Sequence, residues 1–207
     1  MKRERKLSEA EKKRLEMLEK KTQELQEAGY VRRDLIIDIR KANLFMLGMM
    51  IPIYGIGLYL FFACNRDKIR IERMNPFQVL IVYFVLVAIH ELIHGLTWSI
   101  FSQHHFRDIG FSIMSNSLTP YCTCSAPLRK GQYICGALMP LFLLGILPTV
   151  YAILQGSFPI LLMGLVMILT AGGDILIAAR ILNYRSAAKE TIWLDHPTEA
   201  GIIVFER

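Results

Sequence analysis

His90, Glu91 and His94 stand in the order His-Glu-Leu-Ile-His, inside a run of otherwise apolar residues. On a helix, positions i and i+4 share a face about one turn apart, so imidazoles at 90 and 94 can reach one metal ion together. Glu91, beside the first of them, is placed to take a proton from a water that the ion activates. Zinc lowers the pKa of such a water to about 7, so the pattern points to hydrolytic zinc chemistry at neutral pH. With 5 His and 12 Glu in 207 residues, chance yields this pattern in roughly one such chain per hundred. Ionisable groups within an apolar span cost on the order of 3 kcal/mol each, and three within five residues point to function. The competing reading is a hydrogen-bonded polar cluster that holds helices together.

A catalytic zinc site takes a third protein ligand and keeps one position open. The extended metzincin pattern would need Gly at 97 and His at 100, where this chain has Thr97 and Ile100. A thermolysin-type Glu is also missing, because no Glu occurs between Glu91 and Glu190. The remaining candidates are His104, His105, Asp108, Asp174, Glu190, Asp195 and His196. Depth along the apolar runs separates them. At 1.5 Å per residue, His90 and His94 lie about 20 and 26 Å from the start of their run, and Asp174 about 24 Å from the start of its own. Parallel runs bring the three level, so His90, His94 and Asp174 are the predicted metal ligands and Glu91 the catalytic residue. Ala171-Gly172-Gly173 before Asp174 lets helices approach closely. An ion pair from Asp174 to Arg180 is the alternative, but six residues is a poor helical spacing.

The elements that must position these groups are four stretches long enough to cross a bilayer, near 44–63, 77–101, 133–154 and 158–182. Composition agrees: 53% of residues are hydrophobic, only 20% are charged, and mean hydropathy is +0.36. That excludes a disordered chain. Residues 1–42 hold 13 of the 24 Lys+Arg and 9 of the 18 Asp+Glu. The net charge of +6 therefore suits an anionic membrane surface rather than nucleic acid, for which no reading motif is present. Basic residues divide 20 to 4 between the two sides of a four-span arrangement when Arg180, near the end of the fourth run, is counted with the C-terminal flank, which predicts cytoplasmic N- and C-termini in a multi-pass cell-membrane protein. Loop 64–76 dissents, with Arg66, Lys68, Arg70 and Arg73; if it stays inside, the first run is a re-entrant hairpin. The first apolar run starts after about forty residues, so no cleavable signal peptide is expected.

The predicted fold is therefore an all-α membrane protein. It has about four transmembrane helices, a short extracytoplasmic loop, a β-hairpin-like cytoplasmic loop and short flanking strands. Residues 1–29 are assigned to a polar juxtamembrane helix, with Leu15, Leu18 and Leu25 at helical spacing. Residues 30–207 form the integral membrane part. Residues 31–39 and Gly201–Glu206 read as strands that pair. Gly110, Ser115, Asn116, Ser117, Pro120 and Pro127 break loop 103–132 into extended pieces. Cys122 and Cys124 match no common zinc spacing and are expected to be reduced thiols. His104 and His105 are expected at a membrane edge, and Asp195-His196-Pro197 is expected as a structural turn rather than a support of the site.

His90-Glu91-Leu92-Ile93-His94-Gly95 together with Gly172-Gly173-Asp174 resembles the intramembrane zinc metalloproteases of the site-2 type. With Ala126-Pro127, Gln132-Tyr133, Pro140 and Asp195-His196-Pro197 followed by Gly201, the chain resembles more closely a bacterial family of zincin peptidases catalogued as a domain of unknown function. The resemblance spans roughly residues 30–206. It implies a zinc-binding fold in the membrane and a peptidase activity. Site-2 proteases carry Asn and Pro in the Asp motif; Thr170-Ala171-Gly172-Gly173-Asp174 has neither.

The leading expectation is a membrane-embedded zinc endopeptidase acting on a transmembrane or membrane-proximal segment. Its substrate stretch would be locally unwound, since an intact helix hides its carbonyls in hydrogen bonds, and the 106–128 hairpin would receive it by strand addition. The alternative is a non-catalytic zinc-binding protein that docks other membrane proteins. A metal carrier would need ligands along a path, and there is only one cluster.

Overall fold

A computed structural model describes residues 9–72, 75–114, 119–196 and 201–207. The chain is mostly helical, with two small sheets. Helix α1 (Glu9–Glu27) leads into strand β1 (Val31–Ile36) and the long helix α2 (Ile39–Cys64). Helix α3 (Pro76–Phe101) carries the His-Glu-Leu-Ile-His motif and is followed by a 3₁₀ turn (His105–Asp108) and the hairpin β2 (Ile109–Met114) and β3 (Thr119–Cys124). Helix α4 (Lys130–Pro140) continues through a π turn (Leu141–Ile146) into α5 (Leu147–Gln155); α6 (Phe158–Thr170), α7 (Gly172–Asn183), β4 (Thr191–Asp195) and β5 (Gly201–Glu206) complete the chain.

Three helical stretches are long and apolar enough to cross a membrane: Ala42–Cys64, Pro76–Phe101 and Lys130–Gln155. There is a fourth if α6 and α7 count as one span bent by 47°. That bend departs from the straight run expected over 158–182. Gly172 and Gly173 are poor helix formers, and the break puts Asp174 in the first turn of α7, where a helix N-terminus favours negative charge. The ends of these helices sort by position. Arg70 N–H donates to the Gly156 carbonyl at 2.8 Å and Phe158 N–H to Arg70 at 3.1 Å, so loop 65–72 lies beside the α5–α6 turn. Asn65 is buried there and donates to the carbonyls of Phe61 and Ile153. Helix α2 runs unbroken to this point, which gives no support to a re-entrant hairpin.

The opposite end is closed by the antiparallel sheet β1-β5-β4. Its middle strand reads Gly-Ile-Ile-Val-Phe without alternation, as a strand covered on both faces should. Ile202 and Val204 pack with Trp98, Tyr133 and Trp193. Ile203 and Phe205 pack with Leu18 and Leu25 of α1. The pairing expected between residues 31–39 and 201–206 is present, in the register Val31 with Glu206 to Ile36 with Gly201. Strand β4 was not expected. Helix α1 forms as predicted, but its leucine stripe is covered by the chain's own sheet rather than left solvated or paired in a coiled coil.

A candidate metal centre held by two helices and a helix break

Helix α3 begins cleanly. Asn75 accepts from Phe77 N–H at 2.9 Å, Gln78 accepts from Asn75 N–H at 3.1 Å, and Pro76 fills the first turn. Four turns on, His90 and His94 point from one face and are each only 3% exposed. Asp174 reaches them from the start of α7. His90 Nε2 is 3.1 Å from Asp174 Oδ2 and 3.1 Å from His94 Nε2, and His94 Nε2 is 3.4 Å from Asp174 Oδ1. Ligands about 2.1 Å from a tetrahedral zinc stand about 3.4 Å apart. One nitrogen of each imidazole and one oxygen of the carboxylate all lie within 4.8 Å of one another, each imidazole nearest a different carboxylate oxygen, and the set of two imidazoles and a carboxylate fits zinc.

The second nitrogen of His94 decides its tautomer. Nδ1 lies 2.9 Å from the carbonyl oxygen of Gly136. A carbonyl only accepts, so Nδ1 carries the proton and Nε2 turns a lone pair into the site. That carbonyl is available because of the residue four places on. Pro140 has no N–H, so the Gly136 carbonyl lacks its helical donor. The proline is also where α4 gives way to the π turn.

Gly136 has a second use. A Cβ there would lie 2.0 Å from Trp98 Nε1. Its absence lets the indole stack on His94, with centroids 5.1 Å apart and planes 15° apart. Trp98 Nε1 donates to the Tyr133 carbonyl at 3.2 Å, and the Tyr133 hydroxyl donates to Asp195. Asp195 also accepts from Cys124 N–H at 2.7 Å. Asp195 is thus not a turn residue but the end of β4, a half-buried residue whose carboxylate anchors the stack behind His94. Burial pushes its pKa up to about 6, against the hydrogen bonds from Tyr133 and Cys124. The turn expected at Pro197 lies outside the described residues.

Glu91 is half-buried beside the cluster, and its carboxylate faces the backbone N–H of Cys122. The hairpin comes this close because residue 95 is glycine: a Cβ there would lie 2.7 Å from the Phe111 ring and 2.9 Å from Ile109. His90 Nδ1 has no hydrogen-bond partner among the described residues.

The other sequence candidates are elsewhere. His104 pairs with Asp108 at 3.4 Å, and His105 lies against the Ser99 carbonyl. Glu190 holds Tyr30 and Arg207, and His196 N–H donates to the Gly201 carbonyl. Arg180 is exposed and does not reach Asp174. Among the described residues, His90, His94 and Asp174 form the group of three that can hold an ion. Cys122 and Cys124 are free thiols; burial raises both, Cys124 to about 12. Gly136, Trp98 and the Cys122 N–H went unassigned in the sequence, and Tyr133 and Pro140 entered there only through the family resemblance, with no role given to either.

Residues 83–189 match the family described as "Putative zincin peptidase". The chain belongs to that family. The matched stretch begins inside α3 and ends before β4, so it contains both halves of the metal centre. No curated protein and no solved structure matches the chain.

Proposed function

We propose that this zincin-family chain is a membrane-embedded zinc metallopeptidase that hydrolyses peptide bonds in or near transmembrane segments. The observation that carries the reading is the cluster of His90, His94 and Asp174, with His90 Nε2 3.1 Å from both His94 Nε2 and Asp174 Oδ2, His94 Nε2 3.4 Å from Asp174 Oδ1, and Glu91 beside it. His90, His94 and Asp174 would hold the ion, and zinc when bound supplies a Lewis acid and lowers the pKa of water to near 7. Glu91 takes a proton from the attacking water as its oxygen bonds to the scissile carbonyl carbon. It returns that proton to the amine nitrogen as the C–N bond breaks. The Gly136 carbonyl holds His94 in the tautomer that leaves Nε2 free.

The membrane setting is supported by the three or four membrane-length apolar helices and by the exposure of their apolar side chains, such as Ile51 at 78% and Leu154 at 73%. The charge asymmetry favours cytoplasmic termini. The substrate stretch must be unwound to present a carbonyl. Strand addition would use the outer edge of β2, since Asp195 already takes an outward N–H of β3 at Cys124.

The test is metal content and cleavage in one set of variants. Wild type should hold about one zinc per chain, as a single three-ligand site requires. His94→Ala and Asp174→Ala should lose it, while Glu91→Gln should keep the metal and lose hydrolysis of a membrane-protein substrate. A Glu91→Gln protein with full cleavage would sink the mechanism. Zinc without cleavage in wild type would favour a docking protein.

A further inference from the structure

A cavity of about 420 Å³ lies outside the metal centre, between α1, the segment just after α3, the end of β3 and β4. We propose that it binds the phosphate headgroup of an anionic phospholipid from the adjacent leaflet, which rests on the reading that α3 crosses the bilayer. Three observations carry this. The first is charge. Helix α1 brings Arg14 and Lys20 to the cavity wall, neither with a carboxylate partner among the described residues, together with Lys21, whose charge is matched by Glu24. The carboxylates that also line it have partners of their own. Glu24 holds Lys21 at 2.9 Å. Asp108 accepts from the Ser102 hydroxyl and from His104 N–H, with the His104 ring 3.4 Å away. Asp195 accepts from Tyr133 and Cys124.

The second observation is an unpartnered donor. Arg14 donates to the Tyr121 hydroxyl through Nη2 and lies over that ring, 5.1 Å from its centroid. Its Nε is buried and has no hydrogen-bond partner among the described residues. A guanidinium held by an aromatic ring with one buried N–H unused is suited to a phosphate oxygen. The third is placement. Gln103 and His104 line the cavity directly after α3 ends at Phe101. Lipid phosphates lie at that level of a membrane-crossing helix, where nearby Lys and Arg add attraction. Met17, Leu18, Leu194 and Ala126 form apolar wall that acyl chain can cover.

The test uses the full chain in detergent, then in nanodiscs. Bound lipid per chain is read by native mass spectrometry with phosphatidylglycerol against phosphatidylcholine. Wild type should retain phosphatidylglycerol in preference, and millimolar inorganic phosphate should not displace it. Lys20→Gln with Lys21→Gln and, separately, Arg14→Lys should each weaken retention, by about fivefold for each Lys charge removed. The two lysines are on the surface of α1, so their removal leaves the fold in place, checked by circular dichroism. Met17→Trp, at a half-exposed wall position, should block the cavity without changing any charge. No preference between the two lipids, unchanged retention in all variants, or displacement by free phosphate would each overturn the proposal. A chain that stays monodisperse after detergent removal without lipid would overturn the membrane reading itself. One that enters nanodiscs without lipid preference overturns the lipid site alone.

Discussion

His94 is held from three sides: the Gly136 carbonyl on Nδ1, Trp98 against its ring, and Asp174 and His90 at Nε2. Gly136 serves two of these contacts. Gly136→Ala places a methyl inside the indole, so it should cost about 1–3 kcal/mol of stability and weaken zinc about tenfold or more through His94. Thermal unfolding of metal-free protein and zinc competition with a chelator measure the two effects separately. Asp195 gives a pH signature. Its folded pKa of about 6 lies above the ordinary 3.8, so the folded state binds the proton more tightly than the unfolded one. Its contribution to stability is full below about pH 4 and is lost as pH rises through about 6, by about 3 kcal/mol for a shift near two units. Asp195→Asn should flatten that slope in chelator-treated protein; an unchanged slope would assign it to another group.

At the scale of elements, two helix defects build the site. The α6–α7 break delivers Asp174 at a helix start, and Pro140 frees the Gly136 carbonyl. Pro140→Ala restores an N–H that competes with His94 for that carbonyl. Zinc affinity should fall about tenfold, while metal-free protein should be no less stable, since alanine favours helix over proline. A parallel loss of both would mean that Pro140 matters for packing instead. The sheet is the other positioning device. Strand β5 sits between α1 and the helices, and β4 beside it brings Asp195 under Tyr133.

For the molecule as a whole, the two ends differ in character. One end is the short pairing of Arg70 with the α5–α6 turn; the other holds both sheets and α1. In the proposed orientation the first end is extracytoplasmic. Cys64 stands there, exposed, at the end of α2, whereas Cys122 and Cys124 are buried and Cys135 is partly so. A membrane-impermeant maleimide added to intact cells should therefore label wild type and not Cys64→Ser. Labelling only after permeabilisation would invert the topology.

What the sequence determined by itself was whatever local chemistry and periodicity encode. The His90–His94 spacing, the four apolar runs, the hairpin breakers and the β1–β5 partners were legible because each is carried by neighbouring residues or by an unbroken apolar run. The nearness of Asp174 to His90 and His94 was legible from depth along the apolar runs, but the 47° bend that presents it at a helix start was not. Tertiary structure alone decided that α1 covers the sheet, that β4 exists and that Asp195 lies beneath Tyr133. It also decided that Gly136 both admits Trp98 and serves His94. Those outcomes depend on which side chains meet far along the chain, from 38 positions for Trp98 and Gly136 to 178 for Leu25 and Ile203, and a backbone carbonyl or a missing Cβ acquires its meaning only when the other helix arrives.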